Sequence, residues 1–249
     1  MKIDTFLTQG DSHYICEDYI VSDESKIVLS DGCSSSIDTD VGARILCRTF
    51  LEGFTPKYFS AFMNDLYTRY FTLISGKRNG ANSLDATVGF VTEEGLVTFY
   101  GDGVIFWKTK DGEVGFTEIE YPSGAPFYLS YFLSEDREYE YKKAFGNTKF
   151  IKHSSGFTSV VSDGGGYTCS FDISEMELIG IASDGLTSFL NTPSEERALG
   201  EIINEICDFK SYNGEFLKRR MGKILKTYRK KGITHYDDLS IGVIVFKED

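Results

Sequence analysis

Four aspartates in the sequence stand beside apolar runs of strand length, where a carboxylate could carry chemistry. Asp31 follows KIVLS, Asp102 follows GLVTFYG, Asp184 follows ELIGIAS, and Asp237 comes just before LSIGVIVF. Three of them are followed directly by glycine, which allows a sharp turn or a close approach of the backbone to a ligand. One such Asp-Gly pair is usually only a turn, but four carboxylates at the ends of buried strands form a pattern.

These carboxylates would repel one another if their strand ends meet, and cations would be needed to offset that repulsion. Magnesium and manganese are hard cations that prefer oxygen ligands. The three histidines, at positions 13, 153 and 235, do not have the spacing of a zinc site. Phosphate-binding loops, dinucleotide-binding glycine motifs, nucleophile elbows and EF-hand loops are absent from the sequence. The residues therefore favour a magnesium or manganese centre.

The composition limits the partners that the chain could bind. Its 249 residues carry 38 acidic and 26 basic side chains, which gives a formal net charge of −12. An acidic surface repels nucleic acid and anionic membranes, so neither is an expected partner. The basic stretch from Lys218 to Lys231 is interpreted as a solvated helix face. With 41% hydrophobic residues the chain can bury one large core, and a single domain over residues 1–249 is expected.

Five cysteines, an odd number without paired spacing, argue against a disulfide framework. They are interpreted as small packing groups, and Cys33 is the exception worth testing because it stands close to Asp31. The N-terminal residues lack the apolar core of a signal peptide, and no run approaches the roughly 20 apolar residues that span a bilayer. A cytoplasmic location is therefore expected.

The elements that must position the aspartates follow from hydrophobic periodicity. Apolar runs predict strands at 27–29, 86–92, 96–100, 104–107, 178–182 and 239–246. Hairpin turns are predicted at 93–95 and 110–112. Three- and four-residue spacing predicts helices through 41–50 and 59–74, and further helices over 194–208 and about 213–230.

The order of these elements predicts the fold class. The strands come in hairpin runs and do not alternate strictly with helices, which favours an antiparallel α+β domain over a doubly wound parallel one. Two helix pairs at separated positions could cover two sheet faces. Residues 121–177 are rich in glycine and serine and have weak periodicity, so they are predicted to form a flap or insertion within the domain.

Six short motifs, in order along nearly the whole chain, resemble the metal-dependent protein serine/threonine phosphatases of type 2C. They are CEDY at 16–19, VLSDG at 28–32, DATVGF at 85–90, FYGDG at 99–103, GIASDGL at 180–186 and YDDLSIGVIVF at 236–246. Each motif alone is weak, and their common order makes the match specific. The resemblance, to a divergent bacterial-type member, implies a four-layer α-β-β-α sandwich of two antiparallel sheets flanked by helix pairs.

The resemblance also implies a set of metal ligands. Asp31 would bridge two magnesium or manganese ions, and the carbonyl of Gly32 would complete one site. Asp184 and Asp237 would hold the metal on the other side, and Glu17 would bind through water. The implied cofactors are therefore two divalent ions, with room for a third.

Three further aspartates have implied places around these ions. Asp18 would orient metal-bound water and could take its proton, which makes it a catalytic residue by resemblance. Asp102 matches the aspartate that helps bind a third metal in family members. Asp238 is a neighbour of the ligands, since the first aspartate of DDLS matches the ligand.

The implied reaction is hydrolysis of a phosphomonoester by a metal-activated water, without a covalent enzyme intermediate. The implied partner is a protein phosphorylated on serine or threonine, and the sequence does not set the oligomeric state. Two other hypotheses remain open at this point. One is a non-catalytic metal-binding sensor or regulatory pseudophosphatase domain on the same scaffold, and the other is a phosphatase for a small phosphorylated metabolite.

The sequence departs from the family pattern where phosphate would be bound. His13, four residues before Glu17, stands where the family commonly has an arginine that clamps substrate phosphate. It is either a catalytic-site stand-in for that arginine, charged near or below about pH 6.5, or a hydrogen-bonded loop histidine. Arg44 is another candidate for the clamp, provided that its helix points at the site.

Two other departures concern the neighbours of the proposed ligands. Cys33 stands where many eukaryotic members have a histidine that is proposed as a general acid. Gly103 and Val104 replace the polar pair that usually follows the aspartate of the GDSR motif. His235, close to Asp237, is interpreted as a structural residue or as an indirect support for that ligand.

Overall fold

The computed structural model describes residues 1–53, 80–162, 165–192 and 195–246. The helix predicted through 59–74 lies outside the described residues. Within them, two large antiparallel sheets pack face to face, and α-helices cover their outer surfaces. The predicted α+β class, with two antiparallel sheets flanked by helices, is confirmed.

The strands and helices have the following bounds. In chain order the strands are β1 (Lys2–Thr8), β2 (Tyr19–Ser22), β3 (Lys26–Gly32), β4 (Ala86–Thr92), β5 (Leu96–Tyr100), β6 (Gly103–Thr109), β7 (Val114–Glu120), β8 (Thr148–His153), β9 (Thr158–Ser162), β10 (Tyr167–Ser170), β11 (Met176–Ala182), β12 (Phe189–Thr192), β13 (Glu195–Glu196), β14 (Thr234–His235) and β15 (Leu239–Val245). The α-helices are α1 (Thr39–Gly53), α2 (Glu135–Phe145), α3 (Leu199–Cys207) and α4 (Phe216–Lys230). The seven-stranded sheet has the order β1-β15-β11-β6-β7-β8-β9, the five-stranded sheet has the order β10-β5-β4-β3-β2, and β13, β12 and β14 form a small third sheet.

Alternation of side chains along the strands produces the layers. In β15, Val243 packs in the outer core beneath α3 and α4, whereas the next residue, Ile244, packs in the core between the sheets. In β3, Val28 packs towards α1, and its neighbour Leu29 lies in the core between the sheets. Successive strand residues point to opposite faces. Continuous apolar runs therefore bury both faces of each sheet and require helices on the outside.

The predicted strands and hairpin turns agree well with the structure. The turn between β4 and β5 has Gly95 at a φ of 80°, and the turn between β6 and β7 has Gly112 at a φ of 97°. The helix predicted from residue 194 begins only at Leu199, because Glu195–Glu196 pair with β12. No pattern predicted α2, since Tyr141 is its one buried residue and an apolar stripe is absent.

The segment 121–177, predicted as a flap or insertion, contributes strands to both sheets. Its strands β8 and β9 extend the seven-stranded sheet beyond β7, and β10 forms an edge of the five-stranded sheet. Ahead of these strands, the loop that leads into α2 carries a short 3₁₀ turn at Leu129–Leu133. Among the helices in the described ranges, none is both long and apolar enough to cross a lipid bilayer.

Candidate active site

The strand register brings several strand ends to one end of the sandwich. Ala182, the last residue of β11, is aligned with Ile241 near the start of β15 and with Val104 at the start of β6. The turn after β11 therefore lies beside the segments that enter β15 and β6. Those three places carry Asp184, Asp237 and Asp102.

A cleft of about 140 Å³ opens at this end of the sandwich. It is lined by Asp31, Gly32, Cys33, Ser34, Thr87, Asp102, Gly124, Pro126, Tyr128, Asp184 and Asp237. All four strand-end aspartates therefore face one space, although they come from both sheets. The described residues that line the cleft include no lysine and no arginine.

The backbone around Asp102 is held by two glycines in conformations that side chains rarely allow. Gly101 has a φ of 102° and Gly103 a φ of 141°. A Cβ atom at Gly103 would stand 2.4 Å from a ring carbon of Phe99. The polar residue that the type 2C pattern has at this position therefore does not fit here. Asp102 is fixed from the other side, because Oγ1 of Thr87 donates a hydrogen bond to its Oδ1 at 2.7 Å.

The pair Glu17 and Asp18 lies next to this cleft, just before β2. Asp18 is only 3% exposed, and its Oδ2 accepts a hydrogen bond from Oγ of Ser183 at 2.7 Å. The hydroxyl of Ser183 also accepts a bond from the backbone N–H of Ser240 at 3.0 Å. Glu17 accepts a bond from Oγ1 of Thr39 at 2.9 Å. Ser183 thus ties Asp18 to the seven-stranded sheet, a role that no sequence pattern predicted.

The carboxylates of the cluster are difficult to ionise together. Burial raises the pKa of Asp18 to about 7, and the charge of Asp184 adds to this effect. Burial also raises the pKa of Asp31 well above its usual range, with further contributions from Asp18 and Asp184. For the same two reasons, burial and the charge of Asp184, the pKa is about 8 for Asp102 and about 6 for Asp237. Cations in the cleft would offset this repulsion.

Two carboxylate oxygens in the cluster lack a hydrogen-bond partner among the described residues. They are Oδ1 of Asp18 and Oδ1 of Asp184, and both are buried. Buried polar atoms are normally paired, so these two call for a missing partner. An all-oxygen donor set fits magnesium or manganese. Within the described ranges, however, no three acidic, histidine or cysteine side chains already form a ligand shell, so the carboxylates would have to move towards an ion.

His13 is held between the two aspartates that precede β15. Its Nδ1 lies 3.0 Å from Oδ2 of Asp238, and its Nε2 lies 3.2 Å from Oδ1 of Asp237. Burial lowers the pKa of His13, but the hydrogen bond and charge of Asp238, with the charges of Asp237 and Glu17, outweigh it and raise the pKa above its ordinary value. The ring is therefore more cationic at neutral pH than an isolated histidine.

Asp238 organises the loop that carries His13 and Glu17. It is 1% exposed, and its two oxygens accept hydrogen bonds from the backbone N–H groups of Gly10 at 2.8 Å and Glu17 at 2.6 Å. Its carboxylate thus points away from the cleft and into the N-terminal loop. Asp237 faces the cleft, so the side chains of these two adjacent aspartates point in different directions.

The other residues considered from the sequence lie in varied places. Arg44 is exposed and stacks over the ring of Tyr19 at 5.9 Å, and it does not line the cleft. Cys33 lines the cleft, with its sulfur 3.1 Å from Oγ of Ser35. His235 is buried and stacks on Phe189, and burial lowers its pKa. All five cysteines are free thiols.

An ion pair between Asp85, the first residue of the motif DATVGF, and Arg137 supports one wall of the cleft, and no sequence pattern predicted this partner. Asp85, just before β4, accepts two hydrogen bonds from Nη2 of Arg137, at 2.8 and 2.9 Å. It also accepts bonds from the hydroxyls of Ser36 and Ser130. Asp85 therefore joins three segments: the loop after β3, the 3₁₀ turn and α2. Through the last two it anchors the loop that brings Tyr128 to the cleft.

Comparison with solved structures places this fold among known ones. A bacterial serine phosphatase carrying a point mutation matches with a TM-score of 0.59 at 10% identity, covering 99% of each chain. The serine/threonine phosphatase PstP/Ppp of Mycobacterium tuberculosis matches with a TM-score of 0.57 at 12% identity, again over 99% of each chain. The catalytic domain of PstP in complex with two manganese ions matches with a TM-score of 0.51 at 11% identity, over 97% of this chain and 96% of that one.

The chain therefore has the fold of the bacterial type 2C serine/threonine phosphatases. The resemblance inferred from six motifs is confirmed at this level. No protein-family model matches the sequence, and no curated protein does so either. The structural match over nearly the whole chain establishes the fold, and at identities of 10–12% the activity has to be argued from the site.

Proposed function

We propose that this protein is a magnesium- or manganese-dependent hydrolase of phosphoserine and phosphothreonine in proteins. One observation carries the proposal: four aspartates from separate strand ends face a single cleft of about 140 Å³. The fold shared with serine/threonine phosphatases, one of them complexed with two manganese ions, supports the same reading.

The cleft residues divide into those that would hold cations and those that would handle protons. Asp31, Gly32, Asp184 and Asp237 would hold two ions, Glu17 would act through water, and Asp102 would serve a third ion. When bound, magnesium or manganese would neutralise charge on the phosphoryl oxygens and lower the pKa of water.

Asp18 is the proposed proton acceptor of the reaction. Its Oδ2 is fixed by the Ser183 hydroxyl, while its buried Oδ1 accepts no hydrogen bond from any described residue. A carboxylate held on one side and free on the other can accept a proton at a defined position. Ser183 would act as a positioning residue through this bond.

Phosphate release in the presence of manganese is the primary expected result. The purified protein, stripped of metal and then loaded with Mn²⁺, should hydrolyse p-nitrophenyl phosphate and a phosphothreonine peptide. Asp237→Asn should abolish both activities, because Asp237 is a proposed ligand that faces the cleft. Circular dichroism should show that the variant stays folded. An Mn²⁺-loaded wild type that is inert towards both substrates, in an assay where a related enzyme is active, would count against the proposal.

A metal-binding sensor without catalytic activity is the second candidate. It is favoured by one observation, the absence of lysine and arginine among the described residues that line the cleft. Titration calorimetry with Mn²⁺ separates the two candidates, because a sensor binds metal tightly without turnover. Comparison of phosphopeptides with small phosphorylated metabolites tests whether the physiological substrate is a protein.

Replacing His13 with arginine should improve phosphate binding if His13 stands in for a phosphate clamp. Arginine stays charged at all accessible pH values and can form paired hydrogen bonds with phosphate, so we expect KM for p-nitrophenyl phosphate to fall about three- to tenfold. His13→Gln, which removes the charge, should raise KM. An unchanged or higher KM for His13→Arg would leave His13 with only its contacts to Asp237 and Asp238.

A further inference from the structure

A groove with a volume of about 520 Å³ runs between strand β1 and helix α4, on the helix side of the seven-stranded sheet. Its apolar floor is formed by Phe6 and Leu225, both partly buried against the outer core. Its rim is formed by Lys226, Arg229 and Lys230. The groove therefore has an apolar floor and a cationic rim.

The rim cations are unusual for this acidic chain. The protein carries a net charge of −12, yet Lys226, Arg229 and Lys230 are exposed and form no ion pair with any described residue. Other basic residues nearby are neutralised, for example Lys218 by Glu215 at 2.9 Å. The rim is therefore a local positive field that is available to an anionic partner.

A glycine in the middle of α4 widens this groove. Gly222 is exposed, and a Cβ atom built on it would meet nothing within 4 Å. Glycine in a helix interior costs about 1 kcal/mol relative to alanine. No contact among the described residues requires a glycine there. Its effect is to leave open the space between Phe6 and the rim.

The edge of the sheet beside the groove is also open. Among the described strands, β1 pairs only with β15, so its outer edge has no strand neighbour. Within β1, the backbone N–H of Thr5 donates a hydrogen bond to Oδ1 of Asp4 at 2.9 Å. Unpaired edges can accept an extended segment from another chain, and alternate side chains of that segment enter pockets on one face.

We propose that this groove binds an extended acidic segment of a partner protein that carries one large apolar side chain. The acidic side chains match the three rim cations, and the apolar side chain fills the recess over Phe6 and Leu225. A flat anionic membrane matches less well, because Phe6 and Leu225 are partly buried against the outer core and do not project beyond the rim cations. This site is separate from the aspartate cleft, with which it shares no lining residue.

The test uses a fluorescein-labelled peptide with glutamates on both sides of a central leucine, measured by fluorescence anisotropy. The wild type should bind it at least about tenfold more tightly than the same peptide with serine for leucine or with lysines for the glutamates. Gly222→Gln should weaken binding about tenfold by filling the groove, while the melting temperature stays level or rises because glutamine is a better helix former. Lys226→Glu with Arg229→Glu should weaken binding by a similar factor.

A matched control is Lys142→Glu with Lys143→Glu on α2, which makes the same charge change away from the groove and should leave the peptide affinity unchanged. The proposal is overturned if the wild type fails to bind the glutamate-leucine peptide or if Gly222→Gln binds it normally. Equal recruitment to phosphatidylserine vesicles without peptide preference would assign the groove to a membrane. Concentration-dependent dimers that Gly222→Gln abolishes, without peptide binding, would assign it to a second copy. Both results would also overturn the proposal.

Discussion

Asp31→Asn is expected to lower kcat/KM for p-nitrophenyl phosphate at least about a thousandfold, because it removes the carboxylate proposed to bridge two cations. The same change should stabilise the metal-free protein. Asp31 lies among Asp18, Asp184 and Asp102, whose charges, together with burial, disfavour its ionised form. Asparagine does not ionise, so the folded variant no longer bears the cost of neutralising a buried carboxyl group, and its free energy of unfolding at neutral pH should exceed that of the wild type.

Without metal we expect Asp31→Asn to be more stable than the wild type, and with bound Mn²⁺ we expect the wild type to be the more stable of the two. A ligand that binds only the folded state stabilises it by about 2.7 kcal/mol at a hundred times its Kd. Mn²⁺ should therefore raise the melting temperature of the wild type and have little effect on Asp31→Asn. This readout does not depend on turnover.

Asp111→Asn is the matched control for this experiment. Asp111 is an exposed residue in the turn between β6 and β7, where the sequence predicted only a turn. Its replacement should leave activity, metal response and stability nearly unchanged. If Asp31→Asn instead retained the Mn²⁺-dependent rise in melting temperature, Asp31 would not be a metal ligand.

Arg137→Met is expected to destabilise the protein by about 3–5 kcal/mol, the usual cost of leaving one partner of a buried ion pair without the other. The Asp85 side chain is 6% exposed, and Arg137 supplies its only cationic partner among the described residues. The two serine hydroxyls that remain cannot replace the lost charge. Chemical denaturation followed by circular dichroism measures the effect.

The control lies on the same helix. Lys143 forms an ion pair with Glu140 at 3.8 Å, but both side chains are more than half exposed. Lys143→Met should therefore change the free energy of unfolding by less than about 1 kcal/mol. A double variant, Arg137→Met with Asp85→Asn, should recover part of the loss. Equal losses for Arg137→Met and Lys143→Met would show that the buried pair contributes little.

The fold could be predicted from the strands that are apolar on both faces. Strands such as β4 and β15 are continuous apolar runs. A strand of this kind must be covered on both faces, by the other sheet on one side and by helices on the other. Strand β9 and helix α2 were not predicted, because few of their residues are buried. In β9 no residue is fully buried, and in α2 only Tyr141 is, so neither has a strong periodic pattern.

The gathering of four aspartates at one cleft could be predicted from the sequence, whereas the residues that support them could not. Asp31 and Asp184 stand out because a carboxylate interrupts an apolar run at a place where the chain must turn. Ser183 and Arg137 carry no such signal, because their partners are 165 and 52 residues away in the chain. Serines and surface arginines are common, and only the three-dimensional register reveals which of them meet a buried carboxylate.

The pairing of β1 with β15 has a consequence for the order of assembly during synthesis. Lys2 is aligned with Val245, so the seven-stranded sheet is completed between residues at opposite ends of the described chain. β15 also separates β1 from β11, so the seven-stranded sheet cannot be complete before residues 239–245 leave the ribosome. Such long-range pairing makes folding slow. The last strand to be synthesised is therefore an interior strand of this sheet, and β1 has no strand to pair with until β15 is available.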